Sequence, residues 1–223
     1  MKFRPFIAMT DGRRQTVERF IASYKQSRRF LARPVVYYKG DSPWFKQAIE
    51  SLRPELMIEQ PDDRFQYNIC HDLPGILFDQ FEGEPAIFME DDILFSSHFA
   101  RSCAHVLDRM RRYDFVDAVT FYGNGDCYWP GANDANFLYK FNGHDYYGNL
   151  CFAMSPKVVK WWYKNRTAVW KKPVWGWDIK IGQAFQDAGL NWYCTHSHFV
   201  QHQIGPSVID GVVKKQQSNR FVP

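Results

Sequence analysis

Short apolar runs alternate, through the first half of the chain, with stretches where apolar residues recur every three or four positions. Phe6-Ile7-Ala8-Met9 reads as a buried strand, Thr10-Asp11-Gly12 as turn and cap chemistry, and Val17, Phe20, Ile21 and Tyr24 as one face of a helix. Pro34 to Tyr38 is a second strand ending at Lys39-Gly40-Asp41. Ser42-Pro43 then opens a helix with Phe45, Ile49 and Leu52 on one face, because proline suits a first helical turn. Leu56-Met57-Ile58 is a third candidate strand. Arg64 to Phe81 has helical spacing, with Pro74-Gly75 as a place for a kink. Ala86 to Met89 is the next strand. Ser97 is expected to cap a helix carrying Cys103, Val106, Leu107 and Met110, and Ala118 to Phe121 follows as a strand.

The second half is less regular. Tyr122 to Gly148 is rich in Gly, Asn, Asp and aromatics and reads as a long functional loop with short strands. Leu150 to Met154 is a buried strand and Ser155-Pro156 starts a helix. Asp178 begins a helix with Ile181, Phe185 and Ala188, stopped by Gly189. Trp192 to Thr195 and Phe199-Val200 are short strands, and the residues from Val212 on read as a loosely held tail.

Alternating strands and helices predict an α/β fold with a mostly parallel central sheet flanked by helices, and ligands at the carboxyl ends of its strands. Thr10-Asp11, Asp41 and Glu90 to Asp92 all fall at such ends. A length of 223 residues fits one domain. Residues 1–121 form its more regular half, 122–211 a mixed half carrying loops, and 212–223 a tail.

Composition narrows this picture modestly. Aromatics reach 17%, and clusters such as Trp161-Trp162-Tyr163 suit either a core or stacking surfaces. The net charge of +4 is compatible with an anionic ligand and too weak to diagnose nucleic-acid binding. Five irregularly spaced cysteines with no Cys-x-x-Cys pair argue against a zinc ribbon and suit reduced thiols, so a cytoplasmic location is expected. No apolar run approaches the length of a membrane span.

Candidate chemistry concentrates at Met89-Glu90-Asp91-Asp92. Three carboxylates stand together where a buried strand emerges. Adjacent like charges repel, and a hard divalent ion with oxygen ligands relieves them, so Mn2+ or Mg2+ is the expected cofactor.

Phe88 to Leu94, with Ser96, Ser97 and Phe99 after it, resembles the DxD-type region of glycosyltransferases of the GT-A fold, in a Glu-Asp-Asp variant. Three further segments fit in order along the chain. Phe65-Gln66-Tyr67-Asn68 resembles the nucleotide-holding segment before the DxD strand. Trp175-Gly176-Trp177-Asp178 resembles the segment that supplies the base in inverting members. Phe199 to Ser207 resembles the late His segment that completes the metal site in some members.

The resemblance implies a GT-A fold with a Rossmann-like sheet. It also implies a metal-dependent, inverting glycosyltransferase that moves a sugar from a UDP-sugar to a hydroxyl acceptor. Asp92 becomes the primary metal ligand and His202 a further one, with His196 and His198 nearby. Glu90 and Asp91 would face ribose or reach the metal through water. Asp178 becomes the general base, with helix capping as its plainer role. Thr10, Asp11, Arg13, Asp41, Tyr67 and Asn68 are assigned to the nucleotide-sugar: Arg13 or its neighbour Arg14 to phosphate, Asp41 to the uracil imide, Tyr67 and Asn68 to base or ribose. Trp175, Trp177 and Asn149 are assigned to the acceptor.

The acceptor is expected to be a glycan or similar molecule of bacterial or viral origin. The alternative is a hydroxymethylated base in DNA, as in phage-type modification, which requires a basic groove and an extruded base. A nucleotidyltransferase would carry a Gly-rich phosphate loop after the first strand, of which Thr10 to Arg14 is a poor version. A non-catalytic sugar-binding module would not need the three carboxylates.

Overall fold

The computed structural model describes residues 2–60, 64–122, 137–140, 151–174, 176–203, 205–206 and 213–214. The first half runs β1 (Arg4–Thr10), α1 (Arg14–Ser27), β2 (Val35–Lys39), α2 (Pro43–Glu50), β3 (Leu56–Glu59), α3 (Phe65–Phe81) and β4 (Ala86–Glu90). It continues through β5 (Ile93–Phe95), α4 (Phe99–Arg112), β6 (Ala118–Thr120), β7 (Leu138–Lys140), β8 (Cys151–Met154), α5 (Pro156–Trp170) and α6 (Trp177–Asp187). The last elements are β9 (Trp192–Thr195), β10 (Val200–His202), β11 (Gly205–Pro206) and β12 (Val213–Lys214).

Eight of these strands form one sheet in the order β3-β2-β1-β4-β8-β6-β9-β7. β1, β2, β3 and β4 pair in parallel, and β8 enters antiparallel between β4 and β6. β9 again runs parallel to β6, and β7 closes the edge antiparallel. The sheet is therefore mostly parallel and covered by helices on both faces, as the alternating pattern predicts.

The period-two alternation of each central strand divides the core into two layers. Ile7 and Met9 of β1 and Ile87 and Met89 of β4 pack with Phe20 and Tyr24 of α1, Phe45 of α2 and Phe99 of α4. Phe6 and Phe88 face the other way, toward Leu73 of α3, Trp162 of α5 and Ile181 of α6. Burying a side chain of this kind contributes roughly 1.5–3 kcal/mol. Trp162 is fully buried and stands in the core, and Tyr163 beside it stacks on Phe78. The described cysteines, Cys70, Cys103, Cys151 and Cys194, are buried free thiols.

The helix expected from Arg64 to Phe81 is present as α3, with Pro74 inside it. Local details differ from the sequence expectation in two places. α4 begins after His98 rather than Ser97. It is Ser96 whose hydroxyl accepts from the His98 N–H at the helix entry, 3.1 Å away. Within the expected tail, β12 pairs with β11. Of the expected loop from Tyr122 to Gly148, only Tyr122 and 137–140 lie among the described residues. No helix among the described residues is long and apolar enough to cross a membrane.

Candidate functional site

β4 ends at Glu90, and the chain turns through Asp91 and Asp92 into β5. Parallel pairing sets this turn beside the carboxyl end of β1, with Ala8 opposite Glu90. Asp91 and Asp92 are 3% and 6% exposed, so both carboxylates need fixed donors. Asp91 takes two. Its Oδ2 accepts from the Thr10 N–H at 2.8 Å, and its Oδ1 accepts from Arg13 Nη2 at 2.6 Å. Arg13 also donates from Nη1 to Asp92 Oδ2 at 3.2 Å, bridging the two acids.

The charges disturb one another as their burial dictates. Burial pushes the Asp91 carboxyl up to about 6; the Arg13 guanidinium opposes the shift and neighbouring Asp92 adds to it. Burial works against the charge of Arg13, but Asp91, Asp92 and Glu90 outweigh it and hold that guanidinium above its ordinary value.

The other wall of the turn comes from the far end of the chain. β10 pairs antiparallel with β5, setting His202 opposite Ile93. The Gln203 N–H donates to the Asp92 carbonyl at 2.8 Å, and Gln203 Nε2 donates to the Thr16 carbonyl at 3.0 Å. His202 is 6% exposed. Its Nδ1 lies 2.6 Å from the Gln203 carbonyl, which only accepts, so the hydrogen sits on Nδ1. In the neutral ring Nε2 then carries a lone pair. It makes no hydrogen bond among the described residues and stands 3.2 Å from Asp92 Oδ2.

A nitrogen and an oxygen lone pair facing each other, both buried, fit a divalent cation. His202 and Asp92 would supply two ligands and leave the other positions to water and phosphate oxygens, the usual habit of Mg2+ and similar ions. Among the described residues no group of three His, Cys, Asp or Glu side chains closes a protein-only cage. The two nearby histidines stand elsewhere. His198 is fully buried, with Nε2 3.8 Å from Cys194 Sγ and its ring against Tyr122, and His196 is only half-buried.

The strand-end turns beside this corner are fastened together. Asp11 Oδ1 accepts from the Gly12 N–H and Oδ2 from the Ser42 N–H, linking the turn after β1 to the turn after β2. Gly40, at φ 132°, is required there, because a Cβ would overlap the Asp11 side chain. Asp41 beside it is exposed. Asp11 is thus occupied within the protein, while Asp41 is open.

On the opposite face, α6 starts under β4. Trp177 packs edge-on against Phe88, ring centres 5.2 Å apart, and is 6% exposed. This corrects the expected acceptor platform at Trp177, whose indole belongs to the core because α6 needs an anchor on the sheet. Asp178 is half-buried, and its Oδ1 accepts from the Ile179 N–H at 2.9 Å. Gly176, at φ 89°, lets the chain enter this turn; a Cβ would stand 2.7 Å from Asp178 Oδ1. The charges of Asp178 and Lys180 act on the Cys70 thiol, which burial above all pushes up to about 12, so α3 and α6 lie side by side here.

In the first turns of α3, Tyr67 is half-buried, stacked on His71 at 5.2 Å and under the Arg64 guanidinium at 4.8 Å. Asn68, assigned with Tyr67 to the base or ribose, is 1% exposed. Trp175 and Asn149 lie outside the described residues.

The structure therefore brings Thr10, Arg13, Asp91, Asp92 and His202 into one corner. Asp91, expected at the ribose or at the metal through water, accepts from the Thr10 N–H and Arg13. Two features escaped sequence reasoning. Arg13 neutralises the acids, and Gln203 staples β10 to the turn. A cation three residues beyond the first strand is a signal for the former; the latter leaves none.

No protein-family model matches this chain, and no curated protein matches it. The fold does match solved structures. One is 4-diphosphocytidyl-2C-methyl-D-erythritol synthase from Anaerococcus prevotii, with a TM-score of 0.53 at 13% identity over 87% of this chain and 86% of that one. Another is a protein assigned as a nucleotide-diphospho-sugar transferase from Desulfovibrio desulfuricans G20. Its TM-score is 0.50 at 10% identity over 86% of this chain and 79% of that one. Likenesses this distant establish the shared α/β fold.

Proposed function

We propose that this chain is a metal-dependent, inverting glycosyltransferase that moves a sugar from a UDP-sugar to a hydroxyl acceptor. The observation that carries the reading is the pair of facing lone-pair donors, His202 Nε2 and Asp92 Oδ2, at 3.2 Å. The pair sits at the carboxyl end of a mostly parallel sheet, where this class of fold takes its ligands. The nucleotide-diphospho-sugar transferase among the fold neighbours agrees with it.

Asp92 and His202 would hold Mn2+ or Mg2+, which would supply positive charge toward a leaving diphosphate. Arg13 bridges Asp91 and Asp92 and adds positive charge at the same corner. Asp41, exposed at the end of β2, accepts from the uracil imide, and Tyr67 and Glu90 border the base and ribose. Asp178 takes the proton of the acceptor hydroxyl as the oxygen attacks the anomeric carbon from the side opposite the diphosphate. Its anchorage on the Ile179 N–H fixes the carboxylate for that task. The acceptor is a glycan or similar hydroxyl compound, with a hydroxymethylated base in DNA as the alternative.

Nucleotidyl transfer is the second reading, favoured by the neighbour named as a diphosphocytidyl-methylerythritol synthase. The two differ in what leaves: a glycosyltransferase releases UDP from a UDP-sugar, whereas a nucleotidyltransferase releases pyrophosphate from a nucleoside triphosphate. Calorimetry with UDP, GDP and CMP, with and without Mn2+, is paired with assays of both leaving groups. Metal-dependent UDP binding, UDP release from a UDP-sugar and loss of both in Asp92→Ala support the first reading. Pyrophosphate release from CTP or UTP with no turnover of sugar nucleotides replaces it with the second.

A further inference from the structure

A second cluster of charge lies at the opposite edge of the sheet. Residues 12–40 carry eight Lys or Arg side chains against a single carboxylate, Glu18, in a chain whose net charge is only +4. Part of that excess converges on one cleft. Lys2 before β1, Arg28, Arg29 and Arg33 before β2, and Arg53 before β3 line a cavity of about 820 Å³ with Tyr24 in its wall. All of these cations precede parallel strands, so the cleft opens at the amino edge, a strand's length from Asp92 and His202.

Ordinary surface charge does not account for the grouping. Arg28 and Arg29 follow the carboxyl end of α1, where cations suit the helix dipole. Arg33, Arg53 and Lys2 come from other segments and owe that helix nothing. Among the described residues only Arg33 has a carboxylate partner, Glu55 at 3.4 Å. Its guanidinium is also fixed by the carbonyls of Arg53 and Pro54, and Arg28 is fixed by the Leu52 carbonyl, so two forks are held in place before any ligand arrives. Arg53 itself holds φ 53°, which among the described residues no other non-glycine side chain does. The Tyr24 hydroxyl is buried without a hydrogen-bond partner among the described residues, beside the charge of Arg28.

We propose that this cleft is a second binding site, for a small molecule bearing two or more phosphate groups, separate from the nucleotide-sugar corner. Clustered guanidiniums recognise phosphate bidentately, and the volume suits a small ligand. A concave cleft with buried Tyr24 and Leu52 in its lining favours a compact anion over a duplex, which needs an extended basic face.

The test is calorimetry of the full chain with inorganic pyrophosphate in EDTA, which leaves the metal corner without its ion. The expected result is one pyrophosphate per chain, unchanged in Asp92→Ala and weakened at least 10-fold in the double variant Arg29→Ala/Arg53→Ala. Both side chains are exposed, so the variant's melting temperature stays near that of the parent. No binding in EDTA overturns the proposal, as does binding that the double variant leaves intact. So does tighter binding of a 20-base-pair DNA duplex with the same dependence on Arg29 and Arg53, which makes the cleft part of a nucleic-acid face. Pyrophosphate binding and UDP binding are read separately, so failure here leaves the metal corner standing.

Discussion

Two buried aspartate sites stand at opposite edges of the same sheet. At the amino end of β6, Asp117 is 1% exposed and each oxygen meets a fixed donor: Lys157 Nζ at 2.8 Å and the Asn191 N–H at 2.8 Å. Its carbonyl accepts from Ser155 N–H, tying the start of α5 to the strand. At the carboxyl end of β4, Asp91 and Asp92 are nearly as buried, yet they share one guanidinium, and Asp92 also faces the lone pair of His202. Burial alone therefore does not set the two sites apart; what does is one acid with a separate donor for each oxygen against two acids bridged by a single guanidinium beside a buried histidine.

The comparison breaks most sharply at Asp92. Asp92→Ala is expected to abolish Mn2+-dependent UDP binding and cut transfer about 100- to 1,000-fold, while the melting temperature moves little. Asp117→Ala should do the reverse. It strands the Asn191 N–H and costs about 1–3 kcal/mol, read as a lowered urea midpoint, with turnover per folded molecule unchanged. If Asp117→Ala abolished turnover without destabilising the fold, the division between the two edges would be wrong.

A subtler contrast lies in pH. Asp91 has its pKa raised to about 6, above the 3.8 of the unfolded chain, so the folded state holds that proton more tightly. Its contribution to stability is therefore most favourable below about pH 4 and is lost as pH rises through about 6, an effect on the order of 3 kcal/mol. Urea melts at pH 4 and 7 should show this loss in the parent and not in Asp91→Asn. The smallest effect belongs to Lys157→Ala. That side chain is 60% exposed, so its removal costs under about 1 kcal/mol even though its partner is buried.

Much of the sheet was legible because its strands obey simple patterns. Phe6 to Met9 and Ala86 to Met89 are apolar at every position, as strands buried on both faces must be, and the turns after them carry Asp11-Gly12 and Glu90-Asp91-Asp92. The acidic trio announced its corner for the same reason. What the sequence left dark depends on pairing across long intervals. Nothing local says that β8 enters antiparallel between β4 and β6, or that Arg13 reaches back to Asp91 and Asp92. Trp177 looked like a sugar platform beside an acid, yet its place was decided by Phe88, 89 positions earlier. Of the three late histidines only His202 stands in a strand, β10, while His196 and His198 lie between β9 and β10, and nothing local says that β10 pairs with β5.

That last pairing also sets a clock. Asp92 and His202 are separated by 110 positions, and Gln203 reaches back to Thr16, near the start of the chain. At about 5–20 residues per second of synthesis, the acids at the end of β4 emerge roughly 5–20 s before their partner strand exists. During that interval the early parallel strands can assemble around Arg13 while the corner has only one of its two walls. A contact closed over so long a loop is entropically late in refolding as well. The nascent chain is thus committed to its sheet before the corner around Asp92 is closed.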